Sequence, residues 1–370
     1  MKRQNLVVWA PGDVTLETED LAEVPDGGLL LETTATGLSA GTELTFVKGD
    51  HPGLHRRLDT ELALFLPHAG PAGYPVRRLG YMEVARVAQS RTAAFSEGDL
   101  VASAYGHATA HVSDPVREHV VPLPPDLDPI LGVYVAHLGP ICANGLLHAA
   151  VDAVGPGAVS LGDGVRGRTV AVTGAGLIGL ITALFARLHG AREVAVVDSD
   201  PRRREVAERL GLLALDVEAD ISVDGGPARI LKTRWRHGPA DHGADVVFQC
   251  RGRLTALATA LRLVRPQGTV VDLAFYTEGA SDLRLGEEFH HNGLTLQSAQ
   301  IGRVPRGTAP LWDRQRLSAE TITLLLTFAR EIRECLVTDV IPLEAAPALM
   351  LDVAAHRRHV LSAVLTAGPP

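Results

Sequence analysis

Cysteine is scarce in this 370-residue chain: Cys142, Cys250 and Cys335 are the whole supply. They stand far apart, so no Cys-x-x-Cys pair exists for zinc or redox chemistry. Scattered thiols of this kind read as small buried apolar side chains rather than as a disulfide framework. Lysine is equally rare, at Lys2, Lys48 and Lys232, and arginine carries the rest of the positive charge. No basic run offsets the net charge of −8, which argues against a nucleic-acid partner. Aromatic residues make up 4% of the chain, a mild argument against a pocket built on stacking. No apolar run reaches the roughly 20 residues of a membrane span. The N-terminal Met-Lys-Arg-Gln-Asn leads directly into a short strand at 6–9, without the longer apolar stretch of a signal peptide. The expectation is a cytoplasmic protein with no membrane partner. Composition, at 46% hydrophobic and 21% charged, is that of a globular protein, and the length suggests two domains.

What is present is concentrated at residues 169–179, Thr-Val-Ala-Val-Thr-Gly-Ala-Gly-Leu-Ile-Gly. The apolar run 170–172 reads as a buried strand and enters Gly174-x-Gly176-x-x-Gly179. A helical segment at 180–188 follows, then an apolar strand at 193–197 that ends in Asp198. Strand, turn, helix, strand and acid fall in the order of a dinucleotide-binding unit, with the acid about 20 residues beyond the glycines. Gly174 allows the tight turn, Gly176 lets the backbone approach a pyrophosphate, and Gly179 lets helix and strand pack closely. The helix start, at Leu177 and Ile178, presents N–H groups to phosphate. Asp198 can accept from the ribose hydroxyls and would repel a 2′-phosphate, so NAD is favoured over NADP. Two other readings use the same residues: a purely structural turn, and a site for S-adenosylmethionine.

Residues 1–150 read as β-rich, with short alternating strands at 28–33, 82–89 and 99–104. A long irregular stretch at 51–79 could cover a site. From 151 to 297 strands and helices alternate. Near-continuous apolar runs at 194–197, 245–249 and 269–273 fit parallel strands covered on both faces, with helices at 203–210 and 254–263 between them. This predicts an α/β fold with a doubly wound parallel sheet. Residues 298–370 return to mixed character, with a helix at 319–334 and strands at 337–342 and 361–366. The nucleotide domain is therefore expected as an insertion between two pieces of the other domain.

Several motifs together resemble the medium-chain dehydrogenase/reductase family. The run 36–49, Thr-Gly-Leu-Ser-Ala-Gly-Thr-Glu-Leu-Thr-Phe-Val-Lys-Gly, is similar to the family segment carrying the first zinc ligand. Residues 80–87, Gly-Tyr-Met-Glu-Val-Ala-Arg-Val, resemble its Gly-His-Glu segment. Residues 97–101 match its Gly-Asp-x-Val turn, and Asp198 with Arg203 and Ala207 matches the segment after its ribose acid. The resemblance runs along the whole chain. It implies a GroES-like catalytic domain, a Rossmann NAD(P) domain, a cleft between them for a small-molecule substrate, and a homodimer or homotetramer. Within the family, the Gly-Leu-Ser-Ala-Gly-Thr-Glu run is similar to a zinc-free branch with bacteriochlorophyllide-type dehydrogenases, near the threonine and sorbitol types of alcohol dehydrogenase.

The departures from the family bear on the chemistry. The zinc-ligand Cys position reads Ser39 or Ala40, the His position reads Tyr81 and the adjacent Glu reads Met82. Near the third ligand position only Cys142 could ligate. Serine and tyrosine are poor zinc ligands at neutral pH, so no catalytic metal is expected. His107 and His111, with His119 nearby, leave room for an unorthodox metal site; the plainer expectation is polar residues on a loop or strand surface. Without zinc, the oxygen of a reacting carbonyl needs hydrogen-bond donors and a proton source. Tyr81 and Thr42 are the candidates, the alternatives being an aromatic that fills the vacated metal position and a turn hydroxyl. Glu43 is expected to orient the loop. His137 is placed near the nicotinamide or, alternatively, in the core. Cys250 and Ala274 follow strands at the sheet edge where cofactors bind. The stretch 289–300 resembles the family's last Rossmann strand, an edge that pairs across a dimer. The expected reaction is NAD-dependent interconversion of a secondary alcohol and a ketone. Reduction of an activated C=C bond and non-catalytic NAD binding remain the alternatives.

Overall fold

Thr169–Thr173 is buried at every position, with Val170, Ala171 and Val172 closed to solvent on both faces. A strand with no solvent-facing side must lie inside a sheet covered above and below. In a computed structural model, which describes residues 1–67, 73–217, 225–277, 279 and 283–368, it occupies the middle of a six-stranded sheet. The order is Leu213–Asp216, Glu193–Asp198, Thr169–Thr173, Ala244–Gln249, Val264–Asp272, Thr295–Ser298, and every neighbouring pair is parallel. In chain order this is 3-2-1-4-5-6, the dinucleotide-binding topology. Its switch point lies between Thr169–Thr173 and Ala244–Gln249. The helix Leu177–Leu188 buries nine of its twelve residues. On the other face, Leu257, Ala260 and Leu261 of Leu254–Leu263 join Ala171, Val247 and Val270 in one apolar cluster.

The chain divides into two compact units, one formed by Met1–His137 with Ile332–Pro370, the other by Leu138–Glu331. The divisions at 137/138 and 331/332 differ from the expected 150/151 and 297/298. Helix Leu138–Val154 belongs to the second unit because it packs on Leu177–Leu188. Residues beyond 297 stay there because the Trp312 indole donates to the Ala158 carbonyl at 2.7 Å and is itself buried.

The first unit is built on a seven-stranded sheet. Val337–Pro342, Ser362–Thr366, Leu29–Leu38, Glu83–Ser90, Leu100–Ser103 and Val120–Pro122 lie side by side, and Ala110–Ser113 pairs with Leu29–Leu38. Lys2–Ala10 and Asp13–Asp20 form a separate antiparallel pair. The expected irregular stretch at 51–79 is corrected in part. It contains a short helix, Pro52–His55, and a hairpin of Arg56–Asp59 with Leu64–Pro67, while 68–72 lie outside the described residues. The hairpin escapes an alternation-based reading because Leu58, Leu64 and Phe65 are all exposed. Among the described residues no helix is long and apolar enough to cross a membrane.

Candidate functional site

In the second unit the glycines do what the turn requires. Gly174 has φ +99°, in the left-handed region that favours glycine. A Cβ on Gly179 would stand 1.8 Å from the Gly174 carbonyl oxygen, so helix and turn touch through the missing side chain. A Cβ on Gly176 would meet only Arg203 Nη1, at 3.9 Å, so this residue borders open space. Gly176 is the N-cap of Leu177–Leu188 and no side chain caps that end. The first-turn N–H groups of Leu177, Ile178 and Gly179 therefore remain to meet an anion. This cradle fits the pyrophosphate of a dinucleotide, with the backbone as its main holder.

Asp198 ends its strand beside this turn, as the sequence places it, but its carboxylate is largely committed. Oδ2 accepts the Ala175 N–H and Oδ1 the Asp200 N–H, both at 2.8 Å, and the side chain is 1% exposed. Arg203 Nη1 and Arg251 Nη1 stand 3.9 and 3.8 Å from its two oxygens. The Cys250 N–H donates to the Thr173 carbonyl at 2.9 Å, at the carboxyl end of the sheet. Burial raises its thiol well above the ordinary value, with Cys142 as a further cause. The Ala274 N–H donates to Asp272 Oδ1 at 2.9 Å.

A network that the sequence did not reveal joins the same strand ends. The Tyr276 hydroxyl donates to Asp272 Oδ2 at 2.9 Å and accepts from Gln249 Nε2 at 3.0 Å. The fully buried Gln249 accepts from the Thr173 hydroxyl at 2.5 Å and donates to the Arg251 carbonyl at 2.6 Å. Burial pushes the Asp272 carboxyl and the Tyr276 hydroxyl upward. The available signal was positional: Thr173, Gln249 and Asp272 each end a strand at the edge where ligands bind.

In the first unit two of the candidate residues, Ser39 and Tyr81, meet. Ser39 Oγ and Tyr81 Oη are hydrogen-bonded to each other. Ser39 is the N-cap of Ala40–Lys48, yet its hydroxyl makes no capping bond, having been diverted to Tyr81. The Ser39 N–H donates instead to Glu43 Oε1 at 2.8 Å, while its carbonyl accepts from Thr42 and Glu43 N–H at 3.1 and 2.9 Å. His137 packs against Tyr81 with ring centroids 4.5 Å apart and planes tilted by 52°. Thr42 lies in the same helical turn, and its carbonyl accepts the Thr45 hydroxyl at 2.5 Å. The structure thus brings together Tyr81, His137 and Ser39, and leaves Thr42 beside them.

The surface reading of His107 and His111 is overturned. Both imidazoles are buried because each has a buried glutamate to pair with. His107 Nε2 contacts Glu43 Oε2 at 2.6 Å, and its Nδ1 is hydrogen-bonded to the Thr36 hydroxyl. Thr36, His107 and Glu43 therefore form a buried chain that ends on the Ser39 backbone. His111 stacks on Tyr105 with centroids 3.7 Å apart, and its Nδ1 lies 3.3 Å from Glu83 Oε1. Glu83 also accepts from the Thr33 and Ser103 hydroxyls at 2.6 and 2.5 Å. Burial opposes its ionisation, but the neighbouring His111 and these hydroxyls outweigh burial and hold the carboxyl below the ordinary range.

The donor set does not suit zinc. The paired hydroxyls of Ser39 and Tyr81 are poor zinc ligands at neutral pH. Cys142 donates its thiol to the Ile178 carbonyl at 3.5 Å, and burial pushes that thiol up to about 12. Among the described residues no three His, Cys, Asp or Glu side chains gather as a metal site.

A family model described as zinc-binding dehydrogenase matches residues 178–314. D-guloside 3-dehydrogenase of Escherichia coli (strain K12) is 30% identical over 166 residues, covering 43% of this chain and 43% of that protein. The match thus spans less than half the length of that relative. The alcohol dehydrogenase TADH from Thermus sp. ATN1 has the same fold, with TM-score 0.72 and 18% identity over 99% of this chain and 100% of that one. So does a putative zinc-binding dehydrogenase from Sinorhizobium meliloti 1021 bound to NADP, with TM-score 0.71 and 20% identity over 99% of each chain. Residues 178–314 thus match the zinc-binding dehydrogenase family, within a chain whose α/β fold is that of the medium-chain alcohol dehydrogenases.

Proposed function

We propose that this protein is an NAD-dependent oxidoreductase that interconverts a secondary alcohol and a ketone without catalytic zinc. The observation that carries the reading is the Ser39–Tyr81 hydrogen bond at the two substituted ligand positions. The cradle at Gly174–Gly179 supports a dinucleotide, and Asp198 beside it is the basis for choosing NAD. A nicotinamide dinucleotide held by the Gly174–Gly179 cradle would supply or remove the hydride. The first unit then has to manage charge and a proton on the substrate oxygen, work that a zinc ion does elsewhere as a Lewis acid. In the reductive direction Tyr81 donates its hydrogen bond to that oxygen and passes it the phenolic proton. Ser39 donates to the oxygen left on Tyr81 and offsets its charge. His137 fixes the tilt of the phenol ring. Glu43, held by His107, fixes the backbone of Ser39 and hence the pair.

The proposal also covers setting and assembly. The working compartment is the cytoplasm, the partner is a small-molecule substrate, and copies associate through the edge strand Thr295–Ser298.

Incubation with reduced cofactor and paired ketone and enone substrates, with products followed by NMR, tests the chemistry. A secondary alcohol is expected. A saturated carbonyl would reassign the reaction to C=C reduction, and no turnover of any carbonyl compound would reduce the protein to a cofactor binder.

A further inference from the structure

The hairpin of Arg56–Asp59 and Leu64–Pro67 is a two-stranded sheet of its own, joined to neither large sheet. Two strands alone are marginal in water. Yet Leu58, Leu62, Leu64 and Phe65 are between 45 and 63% exposed, so these side chains add little to the core of their own unit. The base of the hairpin is fixed. Leu54 is buried, and His55 Nε2 is hydrogen-bonded to the Gly49 carbonyl at 2.8 Å. An anchored, exposed and apolar pair of strands is a surface built to be covered.

The register selects the edge and the partner. Leu58 faces Phe65, Arg57 faces Leu66 and Arg56 faces Pro67. Pro67 has no N–H, so Arg56 and Pro67 cannot exchange two hydrogen bonds. An antiparallel ladder alternates, which makes Arg57–Leu66 and Asp59–Leu64 the bonded pairs. Arg56 and Leu58 therefore turn their N–H and C=O groups outward. The opposite edge carries Pro67, a residue that blunts strand addition, so the open edge is Arg56–Asp59. Along it, Arg57 and Asp59 flank Leu58 with opposite charge. Asp59 Oδ1 accepts the Glu61 and Leu62 N–H groups at 3.0 and 2.9 Å, which holds the carboxylate at the strand end. An antiparallel copy of this strand, related by a two-fold axis at Leu58, matches it. Leu58 meets Leu58 of the second copy, and Arg57 of each copy meets Asp59 of the other. Opposed residues share a face, so Phe65, Leu58 and their two equivalents form one apolar row across four strands. The two ion pairs lie on the other face. A two-fold centred on Arg57 or on Asp59 would instead set like charges against each other.

We propose that Arg56–Asp59 pairs with the same strand of a second copy of this chain, making a four-stranded sheet through a two-fold interface separate from the one at Thr295–Ser298. It depends on neither the reaction nor the cofactor. An interface of this size holds weakly, so the association rises with protein concentration.

Disulfide trapping in the full chain tests the pairing, in a Leu296→Lys background that disables the other interface. Leu58→Cys and Phe65→Cys each place a thiol at an exposed position on the same face. In the proposed sheet the first thiol meets its own equivalent. The second stands three strand spacings, roughly 14 Å, from its own. With glutathione disulfide as oxidant, Leu58→Cys should cross-link two chains at least about tenfold faster than Phe65→Cys, with the bridge mapped to position 58 by peptide mass. Adding Arg57→Glu, an exposed change that sets acid against acid, should remove that excess. Sedimentation equilibrium of the Leu296→Lys protein should show a dimer that grows with concentration and is lost with Arg57→Glu. Equal cross-linking at the two positions, or a rate indifferent to Arg57→Glu, would overturn the pairing and leave the apolar row to a partner of another kind.

Discussion

Alanine at Gly179 would drive its Cβ to 1.8 Å from the Gly174 carbonyl oxygen, whereas alanine at Gly176 would meet almost nothing. The same substitution three residues apart should therefore fail in different ways. Gly179→Ala should lower stability by about 1–3 kcal/mol as the turn is forced off the helix. Gly176→Ala should leave the melting temperature nearly unchanged and weaken dinucleotide binding about tenfold, because its methyl group occupies the phosphate cradle. Thermal melts and calorimetry on both variants check this, and equal behaviour would remove the distinction between packing and binding glycines. The hydroxyls of the first unit separate similarly. Tyr81→Phe should cost roughly a hundredfold or more in kcat with cofactor affinity unchanged. Ser39→Ala should cost more than Thr42→Ala, because the Ser39 hydroxyl is bonded to Tyr81. Steady-state kinetics that rank Thr42 above Ser39 would return the relay to the threonine.

At the scale of elements, legibility in the sequence followed the range of the interaction. The glycine turn could be read directly because its chemistry is backbone chemistry, local to 174–179. Helix Leu254–Leu263 and strand Val337–Pro342 fall at the expected limits, since their patterns reflect burial over a few residues. The buried pairs His107–Glu43 and His111–Glu83 were not legible. Their partners are 64 and 28 residues apart in the chain, and a histidine that will be satisfied by a distant carboxylate looks the same in sequence as one facing water. Ser39 was visible only as a missing cysteine, and its bond to Tyr81 depends on the packing of a strand-end loop against a helix start. The Glu83 pair has a testable consequence. A folded-state carboxyl held below the ordinary 4.5 contributes stability that is present above that value and lost as pH falls through the folded value. The melting temperature should therefore drop on acidification below about pH 4.5, and Glu83→Gln should flatten that acid limb at the expense of stability near neutrality. An unchanged acid limb in Glu83→Gln would show that other carboxylates dominate.

For the whole molecule, Thr295–Ser298 is one of the two outer strands of the parallel sheet, with Leu296 exposed. An uncovered edge presents unpaired N–H and C=O groups, and a two-fold partner strand satisfies them on both copies at once. Light scattering should give at least twice the chain mass of 39.3 kDa, and Leu296→Lys should shift the population toward monomer; a monomeric wild type would contradict this. In the proposed reaction a serine–tyrosine pair takes the place of a metal in handling the substrate oxygen. Elemental analysis of tag-free protein, with ketone reduction measured before and after chelation, tests it most directly. Far less than about one zinc per chain is expected, with turnover that chelation leaves intact. Stoichiometric zinc whose removal abolishes turnover would contradict it.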